Sequence, residues 1–273
     1  MRKKLKNEIL ISTVLSNLDN AKCLALNAFV DTKIPSLIIC QTFEDPDVTY
    51  NNICEEEYRV IFTRSIGLSK SRQEALESSI AEYIWFLDDD VTVLPEGCIS
   101  AFDYLTNNDV DILTTKYSSN SIVRKKYSME KFEHTRLSIM KVSSIEIFCN
   151  RDFLMTKCIK FDSNFGLGST FVSGEENIFL SDCLLQGAKI QFLPLITSDH
   201  PPITSGGNYD NAATLISKGA VIRRVYGFKG LPLIFLYFIK RVYLSQIKAS
   251  KIFRCIGFAL NGFFSKKNKI KTF

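Results

Sequence analysis

Apolar and polar positions along the first half of the chain fall into short blocks. Glu8–Leu15 is an extended, β-rich run. Asp19 and Asn20 behind it are N-cap candidates for a helix over Ala21–Val30, where apolar residues recur at helical spacing. Ser36–Cys40 is a second short apolar run, and after a polar, acidic connection from Phe43 to Glu57 comes a third, Arg59–Phe62. Ser69–Ser79 is polar and helix-favouring, and Tyr83–Leu87 is a fourth apolar run. The later half predicts a helix over Gly97–Thr106, a strand at Asp111–Thr115 and an extended run near Ser143–Phe148. A glycine-containing loop follows at Phe165–Gly174, then a helix over Glu175–Gln186 and a strand at Lys189–Leu193. Short apolar strands alternating with helices predict an α/β fold with a mostly parallel central sheet flanked by helices.

Charge divides the chain unevenly. Up to Asp210 there are 21 basic and 29 acidic residues; beyond it stand 13 Lys and Arg and no Asp or Glu. The last segment is therefore a separate electrostatic object. It also holds the longest apolar run, Leu231–Ile239, and an apolar series at Val242, Ala249, Phe253, Ile256, Leu260 and Phe263. That series predicts one helical face, with Lys240, Lys248, Lys251 and Arg254 pointing away from it. Residues 1–215 are expected to form the core domain, and residues 216–273 a C-terminal helical, basic and apolar tail lying on a membrane surface. Packing of the tail on the core is the alternative, and nucleic-acid binding is not expected. No run reaches the ~18–20 apolar residues needed to span a bilayer. Ser12 and Thr13 interrupt the first apolar run, which reads as a strand rather than a signal peptide. The eight cysteines are scattered without a C-x-x-C pair, which predicts buried thiols in a reducing compartment.

Candidate chemistry is concentrated at strand ends. Asp88, Asp89 and Asp90 follow the aromatic run Tyr83–Leu87. Three adjacent carboxylates repel one another unless a cation sits among them, and carboxylates suit hard cations such as Mg²⁺ or Mn²⁺. A solvated acidic turn would look the same in isolation. Gly67–Arg72 opens a helix and offers backbone N–H groups, the hydroxyls of Ser69 and Ser71, and the cations Lys70 and Arg72 to an anion such as a diphosphate; ordinary capping is the plainer explanation. Glu175 and Glu176 follow Gly174 at a helix start, where either could accept a proton or simply favour the helix N-terminus. His200, one of two histidines, is a candidate metal or phosphate ligand, although a lone loop histidine is more often neither.

Taken in order, Gly67–Arg72 with Ala75, then Glu82–Asp90, then Gly174-Glu175-Glu176, the chain resembles the family 2 glycosyltransferases with the GT-A fold over roughly residues 8–200. The resemblance implies an inverting, metal-dependent transfer of one sugar from a nucleotide-diphosphate sugar, a UDP-sugar being favoured. The acceptor would be a glycan or lipid-linked glycan, in bacterial-type surface polysaccharide synthesis at the cytoplasmic face of the plasma membrane. Asp88 and Asp90 match the D-x-D carboxylates that hold the divalent cation and contact the donor, with Asp89 between them. Arg72 matches an arginine near the nucleotide, followed here by Gln73 where the family usually has Asn. Ser16 and Asn17 fall where the nucleotide pocket begins, and Glu44 or Asp45 would be the acidic residue near the base. Glu176 aligns with the catalytic base, with Glu in place of the usual Asp, so Glu175 remains a rival. A relative that binds without turnover and a nucleotidyltransferase are the alternatives. The second would carry a glycine-rich loop after the first strand, which Ser16–Asn20 lacks.

Overall fold

A computed structural model describes residues 5–42, 50–123, 125–201 and 211–265. The chain divides into two compact units. One comprises Met1–Ile66, Lys70–Phe161 and Phe179–Pro202; the other comprises Gly67–Ser69, Asp162–Ile178 and Ile203–Phe273.

The first unit is built on one sheet. β1 (Leu5–Val14), β2 (Ser36–Gln41), β4 (Tyr58–Thr63) and β5 (Ala81–Asp88) run parallel in the order β4-β2-β1-β5. β3 (Ile53–Cys54) pairs with the outer edge of β4. Beyond β5 lies β9 (Ile147–Asn150), antiparallel to both its neighbours, and then β7 (Ile112–Ser118) and β10 (Ile190–Asp199), parallel to each other. The two-residue strands β6 (Thr92–Val93) and β8 (Phe132–Glu133) pair with β10. All six residues of β2 are buried, which explains its unbroken apolar run: a strand covered on both faces has no polar side. The helices α1 (Leu18–Thr32), α2 (Leu68–Ser78), α3 (Pro95–Asn107), α4 (Arg151–Thr156) and α5 (Glu175–Leu185) connect the strands. One core layer packs Ile9, Ile11 and Ile38 with Ala25 of α1 and Phe102 of α3; the other packs Leu10, Leu37 and Ile39 with Leu76 of α2 and Phe179 of α5. Trp85 stacks on Phe148 at 4.5 Å, and its indole N–H donates to the Ile145 carbonyl at 2.9 Å. Buried Glu8 is compensated by Arg59 at 2.7 Å and the Ser79 hydroxyl at 2.6 Å.

Three expectations change in this unit. A 3-10 turn at Leu15–Asn17 makes Asn17 the N-cap of α1, so Asp19 and Asn20 lie inside its first turn. The run near Ser143–Phe148 is extended only from Ile147, because Ser143 and Glu146 form a reciprocal capping box around a 3-10 turn, Ser144–Glu146. Of the cysteines, Cys23, Cys54 and Cys158 are exposed and the other five are buried, all as free thiols.

The second unit joins the loop 162–178 to α6 (Ala212–Tyr226), α7 (Leu231–Tyr243) and α8 (Ile252–Phe263). Leu215, Ile222, Ile234, Phe238, Ile247, Ala259 and Phe263 form its core. α6 and α8 approach through glycines: a Cβ on Gly219 would lie 1.8 Å from the Ala259 carbonyl oxygen, and one on Gly262 equally close to that of Ile216. Arg224 donates to Asp162 at 3.2 Å with both side chains buried, and the Val172 N–H donates to the Ser217 hydroxyl at 2.8 Å. The apolar series from Val242 to Phe263 is not one helical face. α7 stops at Tyr243 and α8 starts at Ile252, and within α8 Ala259 and Phe263 are buried while Phe253 is 85% exposed. No helix among the described residues is long and apolar enough to cross a membrane.

Candidate active site

The acidic triplet stands where parallel strands end. Ser12 of β1 pairs in register with Asp88 of β5, so the loops leaving the two carboxyl ends face each other. Each aspartate then has a different neighbour. Asp88 accepts from Nη2 of Arg72 at 2.7 Å; Arg72 is 2% exposed, so this guanidinium is spent on orienting a carboxylate from within the core. The Ser144 hydroxyl lies 3.5 Å from the other Asp88 oxygen. Asp89 accepts from the Thr13 hydroxyl at 2.5 Å and from the Asn17 side chain. Burial holds Asp89 above the usual carboxylate range against those two hydrogen bonds, and the charges of Asp90 and Asp88 push it the same way. Asp90 is half exposed, and its Oδ1 is 3.4 Å from Nε2 of His200.

His200 is fixed from two sides. Its backbone N–H donates to the Ser118 carbonyl at 2.9 Å, and its Nδ1 lies 2.7 Å from the Pro201 carbonyl. Asp199 before it accepts from the Ser118 hydroxyl and the Ser121 N–H; burial alone would raise this carboxyl, but the hydrogen bonds outweigh it and hold it below the ordinary value. Ser16 and Asn17 are exposed on the 3-10 turn after β1. Glu44 and Asp45 lie outside the described residues.

The same unit holds a cavity of about 200 Å³ lined by Thr114, Tyr127, Phe132, His134, Lys141 and Glu146. Glu146 accepts from Lys125 at 2.6 Å and from Tyr127 at 2.5 Å. His134 has its Nε2 2.7 Å from the Thr114 hydroxyl, and burial, aided by Lys125, brings its pKa down to about 4.

In the second unit, Ser69 does not present its hydroxyl to an anion: Oγ donates to the Phe165 carbonyl at 2.6 Å, and the Leu68 N–H donates to Leu167. Gly166 has φ +99°, and a Cβ there would stand 3.2 Å from both Glu175 Cδ and Ser69 Oγ. Glu175 is 5% exposed against this loop, whereas Glu176 is only partly buried. Lys218 of α6 is in the field of Glu176; burial lowers the Lys218 pKa and that carboxylate opposes the shift.

The sequence did not single out Thr13, Ser144 or Lys218. Thr13 was within reach, since it lies three residues before Ser16 on the strand that meets the triplet. Ser144 and Lys218 sit far along the chain from the residues they approach, and nothing local marks them.

Residues 48–167 match the family model described as Glycosyl transferase family 2. Among solved structures the chain is similar to S. aureus TarS 1-349, at 15% identity over 95% of this chain and 81% of that one, with a TM-score of 0.62. It is similar also to S. aureus TarS 1-349 in complex with UDP-GlcNAc, at 14% identity over 95% and 82% of the two chains, with a TM-score of 0.59. No curated protein matches the chain by sequence. The matched stretch includes the helix α2 and the whole acidic triplet, and the chain has the GT-A fold.

Proposed function

We propose that this protein transfers one sugar, with inversion, from a UDP-sugar to a hydroxyl of a glycan or lipid-linked glycan acceptor in surface polysaccharide synthesis. One observation carries the reading: the triplet at the carboxyl ends of β1 and β5 is differentiated, with Asp88 held by Arg72, Asp89 by Thr13, and Asp90 left half exposed beside His200. The UDP and UDP-GlcNAc complexes of S. aureus TarS support the choice of donor class.

The side chains fit a divalent cation. Asp88 and Asp90 are partly exposed oxygen donors, and His200 adds an imidazole nitrogen. Its Nδ1 is engaged with a backbone carbonyl, as the second nitrogen of a metal-ligating histidine usually is. Among the described residues no group of three or more His, Cys, Asp or Glu stands close enough together to hold a metal ion without the substrate. A cation shared with a diphosphate needs only one or two protein carboxylates. When bound by Asp88 and Asp90, such an ion would offset charge on the leaving diphosphate. Arg72 keeps Asp88 in one orientation for that task.

Glu176 is the base in this reading. The acceptor oxygen forms a bond to the anomeric carbon as the bond from that carbon to the diphosphate oxygen breaks; the acceptor proton passes to the Glu176 carboxylate, and the nucleoside diphosphate leaves. Greater exposure favours Glu176 over Glu175, whose carboxylate is packed on Gly166. The test is a donor-hydrolysis panel of nucleotide sugars with Mn²⁺ or Mg²⁺. Turnover of a UDP-sugar that stops with chelator is expected; a protein that neither hydrolyses nor binds any nucleotide sugar would overturn the proposal.

A further inference from the structure

Leu231–Ile239 of α7 is apolar on all sides, yet the second unit covers only part of it. Ile234 and Phe238 are 0% and 1% exposed in the core. On the other side Phe235, Leu236, Ile239 and Tyr243 are 43%, 59%, 61% and 85% exposed. The separations of one, three and four residues place these four on a single stripe of the helix. A helix apolar all round is normally enclosed by protein or lipid, and an exposed row of large apolar side chains marks an interaction surface. The surroundings state what kind. From residue 211 to 265 the chain has nine Lys and Arg and no carboxylate side chain. Lys229, Lys240, Lys248 and Arg254 are exposed.

We infer that the outward stripe of α7 is a membrane-interface surface that seats on an anionic lipid bilayer. Phe235, Leu236 and Ile239 enter the acyl boundary, Tyr243 sits at headgroup level with its hydroxyl in water, and the lysines meet lipid phosphates. None of the residues that insert belongs to the apolar series the sequence periodicity selected, whose last member, Phe263, is core. A second copy of the chain fits the surface poorly, since both partners would present cations without a compensating carboxylate. Nucleic acid fits it poorly too, because an apolar stripe gives nothing to a phosphate backbone. The attachment does not depend on sugar transfer.

The test is sedimentation of the full-length protein with vesicles of phosphatidylcholine alone and of an equal mixture with phosphatidylglycerol, at low and high salt. Wild type is expected to bind the anionic vesicles and release in high salt. The variant Leu236→Ser/Ile239→Ser/Tyr243→Ser changes only well-exposed side chains; it should keep its melting temperature and lose about tenfold or more in vesicle affinity. The variant Lys229→Gln/Lys240→Gln/Lys248→Gln should bind anionic vesicles several-fold more weakly, with a flatter salt dependence; it carries the test alone if the serine variant fails to fold. Equal binding by wild type and either folded variant overturns the inference. So does absence of vesicle binding together with a change of oligomeric size on serine substitution, which would assign the stripe to a second copy.

Discussion

In the sheet unit three adjacent carboxylates are each given a separate partner, Arg72 for Asp88, Thr13 for Asp89 and His200 for Asp90. In the helical unit the opposite economy holds: 13 Lys and Arg and no Asp or Glu follow Asp210, and large apolar side chains stand in solvent. The first arrangement concentrates one sign of charge and compensates it from within the fold, which suits a small, charged ligand held in a fixed pose. The second gathers one sign of charge beside exposed apolar area, which suits an extended surface of opposite charge with an apolar interior. Buried Arg224 does have its carboxylate in Asp162, and Lys218 lies in the field of Glu176.

The strongest way to break the comparison is at Asp90. Asp90→Asn removes a charge from a half-exposed position, so transfer should fall by roughly 10³-fold or more while the melting temperature stays put. A variant with full activity would leave the differentiated triplet without a catalytic meaning. Next, Glu176→Gln should lower turnover by roughly 10²- to 10⁴-fold with little change in donor affinity. Glu175→Gln, at a buried site, should instead show in the melting curve. Exchange of the two outcomes would move the base by one residue.

The helical unit is probed by its glycines. Gly262→Val places side-chain atoms against the Ile216 carbonyl and should cost about 3 kcal/mol in urea unfolding. Gly257→Ala in the same helix meets nothing within 4 Å. It should stabilise by up to ~1 kcal/mol. A further effect is expected from pH. His134 has a folded pKa brought down to about 4, so the unfolded chain, with an ordinary imidazole, binds its proton first as pH falls. Stability from this group is present above about pH 6.5 and is lost toward pH 4. His134→Gln should therefore melt with a shallower fall across that window than wild type; parallel curves would remove His134 from the account.

Much of the sheet was legible because its signal is local. A strand buried on both faces needs an unbroken apolar run, so β2 and the Ile84–Leu87 stretch of β5 declare themselves. The two-residue strands β3, β6 and β8 carry no period to read, and β9 runs antiparallel for reasons that lie in its neighbours. At the site, Asp88 and Asp90 were visible as a charge pattern that ordinary surface rarely shows. Arg72 was visible as a residue type, but its burial beneath Asp88 was not.

The sequence by itself determined the alternation of strands and helices, the acidic triplet at a strand end, and the absence of carboxylates after Asp210. These are properties of neighbouring residues, set by periodicity and charge. Only the tertiary structure decided that Ser69 spends its hydroxyl on the Phe165 carbonyl, that Glu175 is packed away while Glu176 is not, and that Phe235, Leu236, Ile239 and Tyr243 of α7 face outward. Each of those depends on which surface another segment happens to cover. Helical periodicity says that a face is apolar; it does not say which of two apolar faces the core will claim.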